Sequence, residues 1–101
     1  MLNDEELKAA LDKSPAERVT MDYMRSRIKE TTFMRFSETV TVCQITLDNG
    51  YSVRGESACV HRENYNKEIG ETISEQNALD KLWPLFGFLL AEATFRAAKS
   101  I

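Results

Sequence analysis

Residues 40–60 read VTVCQITLDNGYSVRGESACV, two runs rich in β-branched and apolar residues on either side of Asp48-Asn49-Gly50. Successive side chains of a strand point to opposite faces, so a slip of one residue at this turn sends every apolar side chain to the wrong side. A two-residue Asn49-Gly50 loop would pair Leu47 with Ser52 and Ile45 with Arg54, mixing apolar and polar residues on one face. A three-residue loop, a type I turn closed by a left-handed Gly50, pairs Leu47 with Tyr51, Ile45 with Val53 and Cys43 with Gly55. That register collects Cys43, Ile45, Leu47, Tyr51 and Val53 on one core face. The opposite face receives Thr46 with Ser52, Gln44 with Arg54, Val42 with Glu56 and Val40 with Ala58. Strands are therefore expected over residues 39–47 and 51–60.

Working toward the N-terminus, Thr31-Thr32-Phe33-Met34-Arg35-Phe36 is rich in β-branched and aromatic residues and reads as a third strand. Before it stand two helix starts. Asn3 with Glu6 has the spacing of a capping box, and Leu2 can staple onto Leu7, for a short helix to about residue 11. Ser14-Pro15-Ala16-Glu17 places a capping serine, a proline at the first helical position and a returning glutamate. Val19, Tyr23, Met24 and Ile28 then share one face of a helix expected over residues 15–29.

Toward the C-terminus, residues 61–66 lack periodicity and read as a connector. From Lys67 onward, Ile69, Ile73, Ala78, Leu79, Leu82 and Trp83 recur at helical spacing, which predicts a long helix covering the hairpin's apolar face. Pro84 must kink or restart it, because proline gives no hydrogen bond to the Asp80 carbonyl and crowds that turn. Beyond Pro84 the segment is apolar on nearly every side, including Phe86, Phe88, Leu89, Leu90 and Phe95. A helix apolar all round must be buried all round, and a small domain hides about one face, so self-association through these five residues is expected. The fold class is α+β, one domain over residues 1–101. It has N-terminal helices (1–30), a three-stranded antiparallel meander (31–60), and a long helical segment (61–101), broken or kinked at Pro84, on the sheet.

The chain has 101 residues and a formal charge of -3. That balance argues against a wholly basic nucleic-acid binder, since phosphate binding rests on Lys and Arg displacing counterions. Two cysteines and no evident signal segment suggest free thiols in a reducing cytoplasm. The most apolar stretch, about a dozen residues interrupted by Pro84, falls short of the roughly 20 that span a bilayer, so no membrane role is expected. A single histidine, His61, precludes a histidine cluster within one chain, and no phosphate-cradling glycine motif occurs. No catalytic residue, metal site or cofactor is expected.

Candidate binding residues follow from the hairpin and the helix. Gly55-Glu56-Ser57 sets a carboxylate and a hydroxyl beside a strand glycine, where a bulge or close backbone approach is common. The bland reading is that Gly55 makes room for a helix side chain while Glu56 is solvated on the open face. Lys81 and Trp83 could hold a phosphate and stack on a base, although Trp83 as a core anchor against the hairpin, with Lys81 paired to a nearby acid, is the simpler reading. With Gln44, Arg54 and Asn64 they complete the candidate face: Gln44, Arg54, Glu56, Ser57, Asn64, Lys81 and Trp83. Arg18, Arg25, Arg27, Lys29 and Arg35 form a loose cationic run interspersed with acids, more simply a solvated face. The element order is also that of double-stranded-RNA-binding domains, but Asn66-Lys67-Glu68-Ile69-Gly70-Glu71 lacks their basic helix start.

Taken in order, Thr41-Val42-Cys43, Leu47-Asp48-Asn49-Gly50-Tyr51, Gly55-Glu56-Ser57-Ala58, Asn64-Tyr65, Glu68-Ile69-Gly70 and Ala78-x-x-Lys81-Leu82-Trp83-Pro84-Leu85 form a distinctive set. The set resembles the tailed-phage gene product 49 / protein 66 family of small uncharacterised phage proteins, over residues 39–90. Phe86 stands where that family commonly has glutamate, and Phe88 where it commonly has tyrosine. These departures make this chain more apolar and add to the case for self-association. The resemblance implies a phage or prophage origin and a bacterial host cytoplasm, and brings no activity with it. The leading expectation is a non-enzymatic accessory protein that binds a host protein in host takeover or counter-defence. The alternatives are an oligomeric sponge for a cyclic nucleotide signal, with Arg54, Lys81 and second-helix arginines at a subunit interface, and weak nucleic-acid binding through Arg25 and Arg27.

Overall fold

The structure is a computed structural model that describes residues 1–12 and 17–99. In chain order it has α1 (Asp4–Asp12), α2 (Met21–Ser26), β1 (Ile28–Arg35), β2 (Val40–Leu47), β3 (Ser52–Ala58), a single 3-10 turn (Arg62–Asn64), α3 (Lys67–Asp80) and α4 (Leu82–Lys99). The three strands form one antiparallel meander in the order β1-β2-β3. Helix α3 lies across β2 and β3, which makes the fold α+β.

The turn that organises the sheet has the three-residue form. Cys43 pairs with Gly55, Ile45 with Val53 and Thr46 with Ser52. The Leu47 N–H donates to the Tyr51 carbonyl at 2.8 Å. Gly50 has φ +91°, a left-handed conformation that costs a side-chain-bearing residue free energy. Strand β2 alternates strictly, with Thr41, Cys43, Ile45 and Leu47 buried and Val40, Val42, Gln44 and Thr46 half-buried. Tyr51 departs from its expected core position and is 56% exposed. It lies just outside β3 beside the glycine turn, at the rim of a shallow groove shared with Leu85, Phe88 and Leu89.

Two glycines set the distance between helix and sheet. A Cβ on Gly55 would run into the backbone of α3 at Ala78 N, Ser74 O and Asn77 C, and one on Gly70 would lie 2.7 Å from Thr41 Oγ1. Helix α3 therefore presents Gly70, Ser74 and Ala78, one turn apart, to the sheet and approaches it at backbone distance. The helix itself, and not merely a side chain from it, occupies the space that Gly55 leaves. Met24, Cys43, Ile45, Leu47, Val53, Ala78, Leu79, Leu82 and Phe86 form the core.

At the N-terminus the expected capping box is present: Asn3 Oδ1 accepts from the Glu6 N–H at 2.7 Å, and the Asn3 N–H donates to Glu6 Oε1 at 3.4 Å. The Ser14-Pro15 start lies outside the described residues. The second helix is only Met21–Ser26, capped by Thr20, whose hydroxyl accepts from the Tyr23 N–H at 3.1 Å. It ends early because the chain is captured at Arg27, whose carbonyl accepts from the Asp48 N–H at 2.9 Å. Ile28 then opens β1 opposite Leu47, with a register irregularity before Glu30, so β1 starts earlier than the residue pattern suggested.

The break in the C-terminal helix falls at Lys81, and Pro84 is the third residue of α4. The two positions are related, because Pro84 offers no N–H to Asp80 and its ring crowds that carbonyl. The chain resolves this one turn upstream: the Lys81 N–H turns back to the Ala78 carbonyl at 3.1 Å, and a new helix begins with Leu82 buried.

Candidate functional site

The side of the sheet away from α3 carries no described element. Three cross-strand rows cross it: Glu30-Thr46-Ser52, Thr32-Gln44-Arg54 and Met34-Val42-Glu56. The β2 members are half-buried by their neighbours, whereas Thr32, Met34, Arg54 and Glu56 are exposed. Arg54, in the middle row on the edge strand β3, is held in place. Its guanidinium donates to Gln44 Oε1 at 3.2 Å and to Ser52 Oγ at 3.0 Å. Both partners are neutral, so the cation is oriented while its charge is left for something else. Behind this face, the Asn77 amide donates to the Glu56 carbonyl at 2.8 Å and ties the outer strand to α3.

The candidate face expected from the sequence is divided by the sheet. Gln44, Arg54 and Glu56 share the open side. Ser57 pairs with the buried Thr41 and so belongs to the helix-covered side. Asn64 ends the 3-10 turn, and Lys81 and Trp83 stand at the α3–α4 joint in the layer behind the sheet. Trp83 is 37% exposed, so it is not the core anchor of the bland reading; Leu82 beside it takes that place. In turn Thr32 and Met34 of β1 join the open face. The alternation of Glu30, Thr32 and Met34 against Thr31, Phe33 and Arg35 was the available signal, but it needed a β1 register.

The cationic run is dispersed. Arg27 Nε lies 2.9 and 2.8 Å from the two carboxylate oxygens of Asp48, its Nη1 lies 3.3 Å from the Tyr23 hydroxyl, and its guanidinium sits 5.7 Å from the centre of the Phe86 ring. The hydrogen bonds that Arg27 donates to Asp48 and then to Tyr23 raise its pKa, and the bond to Asp48 holds that carboxyl below its ordinary value. Arg27 thus clamps the end of α2 to the hairpin turn. Arg35 stacks 3.7 Å from the Tyr65 ring and donates to the carbonyls of Ser37 and Glu38, holding the β1–β2 loop. The pair Arg27–Asp48 joins residues far apart in sequence, and no local pattern announces it.

Of the expected self-association residues, Phe86 is only 3% exposed and belongs to the core, edge-on to Tyr23 with ring centres 5.9 Å apart. The first turns of α4 rotate it inward after Leu82. Leu90 is half-buried, while Phe88, Leu89 and Phe95 are exposed.

The thiols differ. Cys43 is fully buried, and burial, with Glu75 and Glu71 adding to it, pushes its pKa up to about 11. Cys59 is partly exposed, and its Sγ donates to the backbone carbonyl of His61 at 3.4 Å. Among the described residues no group of His, Cys, Asp or Glu is arranged to hold a metal ion, and no helix is long and apolar enough to cross a membrane.

The family model described as phage protein (N4 Gp49/phage Sf6 gene 66) matches residues 19–94. The match reaches further at both ends than the motifs in residues 39–90, and takes in α2, β1 and most of α4. No curated protein and no solved structure matches the chain.

Proposed function

Because the chain belongs to the phage protein (N4 Gp49/phage Sf6 gene 66) family, we propose that it acts without catalysis of its own, by binding a protein of the infected bacterium on the open face of its sheet. The observation that carries this reading is Arg54, fixed by two neutral partners in the middle row of an uncovered three-stranded face, on its edge strand β3. A strand-borne cation on the edge strand, held toward Gln44 of the central strand and with Met34 and Val42 in the next row, suits an acidic partner surface with an apolar contact beside it. The setting is the host cytoplasm, and the outcome is host takeover or counter-defence.

The test is co-purification of tagged protein from a lysate of the bacterial host, run beside an Arg54→Glu variant. A host protein that is retained by the parent chain, lost with Arg54→Glu and bound again when purified supports the reading. Equal recovery with both chains, or turnover of an ester or nucleotide by the purified protein, removes it.

A second reading makes the occupant a cyclic nucleotide signal, sequestered by an oligomeric sponge. The same neutral pairing of Arg54 favours it, because a guanidinium with no carboxylate partner among the described residues is available to a phosphate. Thermal-shift screening against cyclic di- and trinucleotides separates the two. A ligand at 100 times its dissociation constant stabilises the fold by about 2.7 kcal/mol. Silence across the panel leaves the protein partner as the occupant.

A further inference from the structure

Helix α4 has two apolar stripes, and the fold covers only one. Leu82 and Phe86 are buried on the first. The second consists of Pro84, Phe88, Ala91, Phe95 and Ala98, all exposed, with Phe88 at 66% and Phe95 at 57%. Their spacing alternates four and three residues, the 3.5-residue period with which one helix seats along another.

We propose that a second copy of this chain covers this stripe, the two α4 helices lying antiparallel about a twofold axis at Ala91. The order of sizes along the stripe points to a copy in preference to an unrelated partner. Large side chains flank a small one symmetrically, Phe88 and Phe95 each one helical step from Ala91. A twofold interface requires such self-complementarity, because each residue must meet on the partner the residue whose own partner it is. Antiparallel pairing sets Phe88 of one copy beside the partner's Phe95, and lets the two helices approach where Ala91 meets Ala91. None of the five residues is charged; the Lys99 ammonium lies 5.4 Å from the centre of the Phe95 ring and must swing to solvent on its flexible stem as the helices pair.

The shape of the chain agrees. Its radius of gyration is 17.2 Å and its longest dimension 59 Å, where a compact chain of this length has a radius near ~13 Å. Helix α4 holds 18 residues, about 27 Å at 1.5 Å per residue, and most of it beyond Phe86 stands exposed. Phe88, Phe95 and the neighbouring Leu89, 51% exposed, offer on the order of 300–400 Å² of apolar surface per copy. That is about half of the roughly 800 Å² that each partner of a standard specific interface buries, so the pairing is expected to be weak and to appear only at high chain concentration. The pairing is independent of what the open sheet face binds.

Sedimentation of the full chain over a concentration series tests the proposal. The mass is expected to rise from 11.5 kDa toward twice that value or an even multiple of it, and to remain at one chain in a Phe88→Asp/Phe95→Asp variant. Both positions are exposed, so at a dilution where the parent is itself a single chain the variant's thermal unfolding should match the parent's, which separates loss of pairing from loss of fold. In a Cys59→Ser background, Ala91→Cys is expected to form an inter-chain disulfide readily and Ala98→Cys poorly. Equal linking at both sites would mean parallel helices and overturn the arrangement. A parent chain that stays single at about 100 µM, or an oligomer that survives the double aspartate variant, would overturn it as well. So would a single chain that sediments with phosphatidylcholine/phosphatidylglycerol vesicles, which would give the stripe to lipid.

Discussion

Replacing Gly55 with alanine adds one methyl group where the α3 backbone already stands. Of the three atoms that methyl would meet, Asn77 C is the most distant at 2.7 Å, while ordinary van der Waals contact begins at 3.4 Å. All three belong to the backbone of a helix, so no rotamer change relieves the overlap, and α3 must lift from β2 and β3 as a unit. Overpacking in a core costs about 1–3 kcal/mol, and a clash against main chain belongs at the upper end, ~3 kcal/mol. For a domain of this size that lowers the melting temperature by about 12–24 °C. Gly87 is the matched control: a Cβ there meets nothing within 4 Å, and alanine inside a helix gains about 0.5–1 kcal/mol over glycine. Urea unfolding of the two variants should therefore move in opposite directions from the parent. A Gly55→Ala midpoint within about 0.5 kcal/mol of the parent would refute the close helix–sheet approach.

Gly70→Ala should destabilise the fold through Thr41, whose hydroxyl would stand 2.7 Å from the new methyl, and Thr41→Ala in the same chain should recover part of the loss, a coupling of about 0.5–3 kcal/mol readable from a double-mutant cycle. Gly50→Ala meets no atom within 4 Å but must hold φ +91°, so its cost is conformational alone, about 1 kcal/mol by urea unfolding. The Asp48 carboxyl is held below its ordinary value by Arg27, so its contribution is present above the unfolded carboxylate range and is lost as pH falls through the lowered folded value; Asp48→Asn should be less stable at neutral pH and show a flatter acid limb in a pH series of unfolding midpoints. A chromogenic disulfide at pH 8 should react with Cys59 alone in the native protein and with both cysteines in denaturant, because Cys43 is buried with its pKa raised to about 11.

The sheet was legible where alternation and turn chemistry agreed. Residues 40–58 have a single register that puts Cys43, Ile45, Leu47 and Val53 on one face, and Gly50 closes it. Tyr51 was misplaced because pairing fixes a residue's side of the sheet but not how far the covering helix extends. The second helix was overestimated for a related reason. Its apolar spacing runs on to Ile28, yet the Arg27–Asp48 clamp, a long-range pair with no local signature, draws the chain into β1. The candidate site was half legible: Gln44, Arg54 and Glu56 follow from register, while Thr32 and Met34 needed the β1 partner. Lys81 and Trp83 were grouped with them on chemistry alone, and the α3–α4 joint sets them in the other layer. Periodicity gave no way to choose which side of an all-apolar α4 faces the core, and the Pro84-driven break at Lys81 decides it for Phe86.

The open sheet face is the proposed functional one, and its most direct test is binding of the recovered host component by the purified parent chain and its Arg54→Glu and Phe88→Asp/Phe95→Asp variants. Arg54→Glu is expected to abolish binding with thermal unfolding unchanged, while the helix variant, though a single chain, still binds. Undiminished binding by Arg54→Glu would contradict that role for the face.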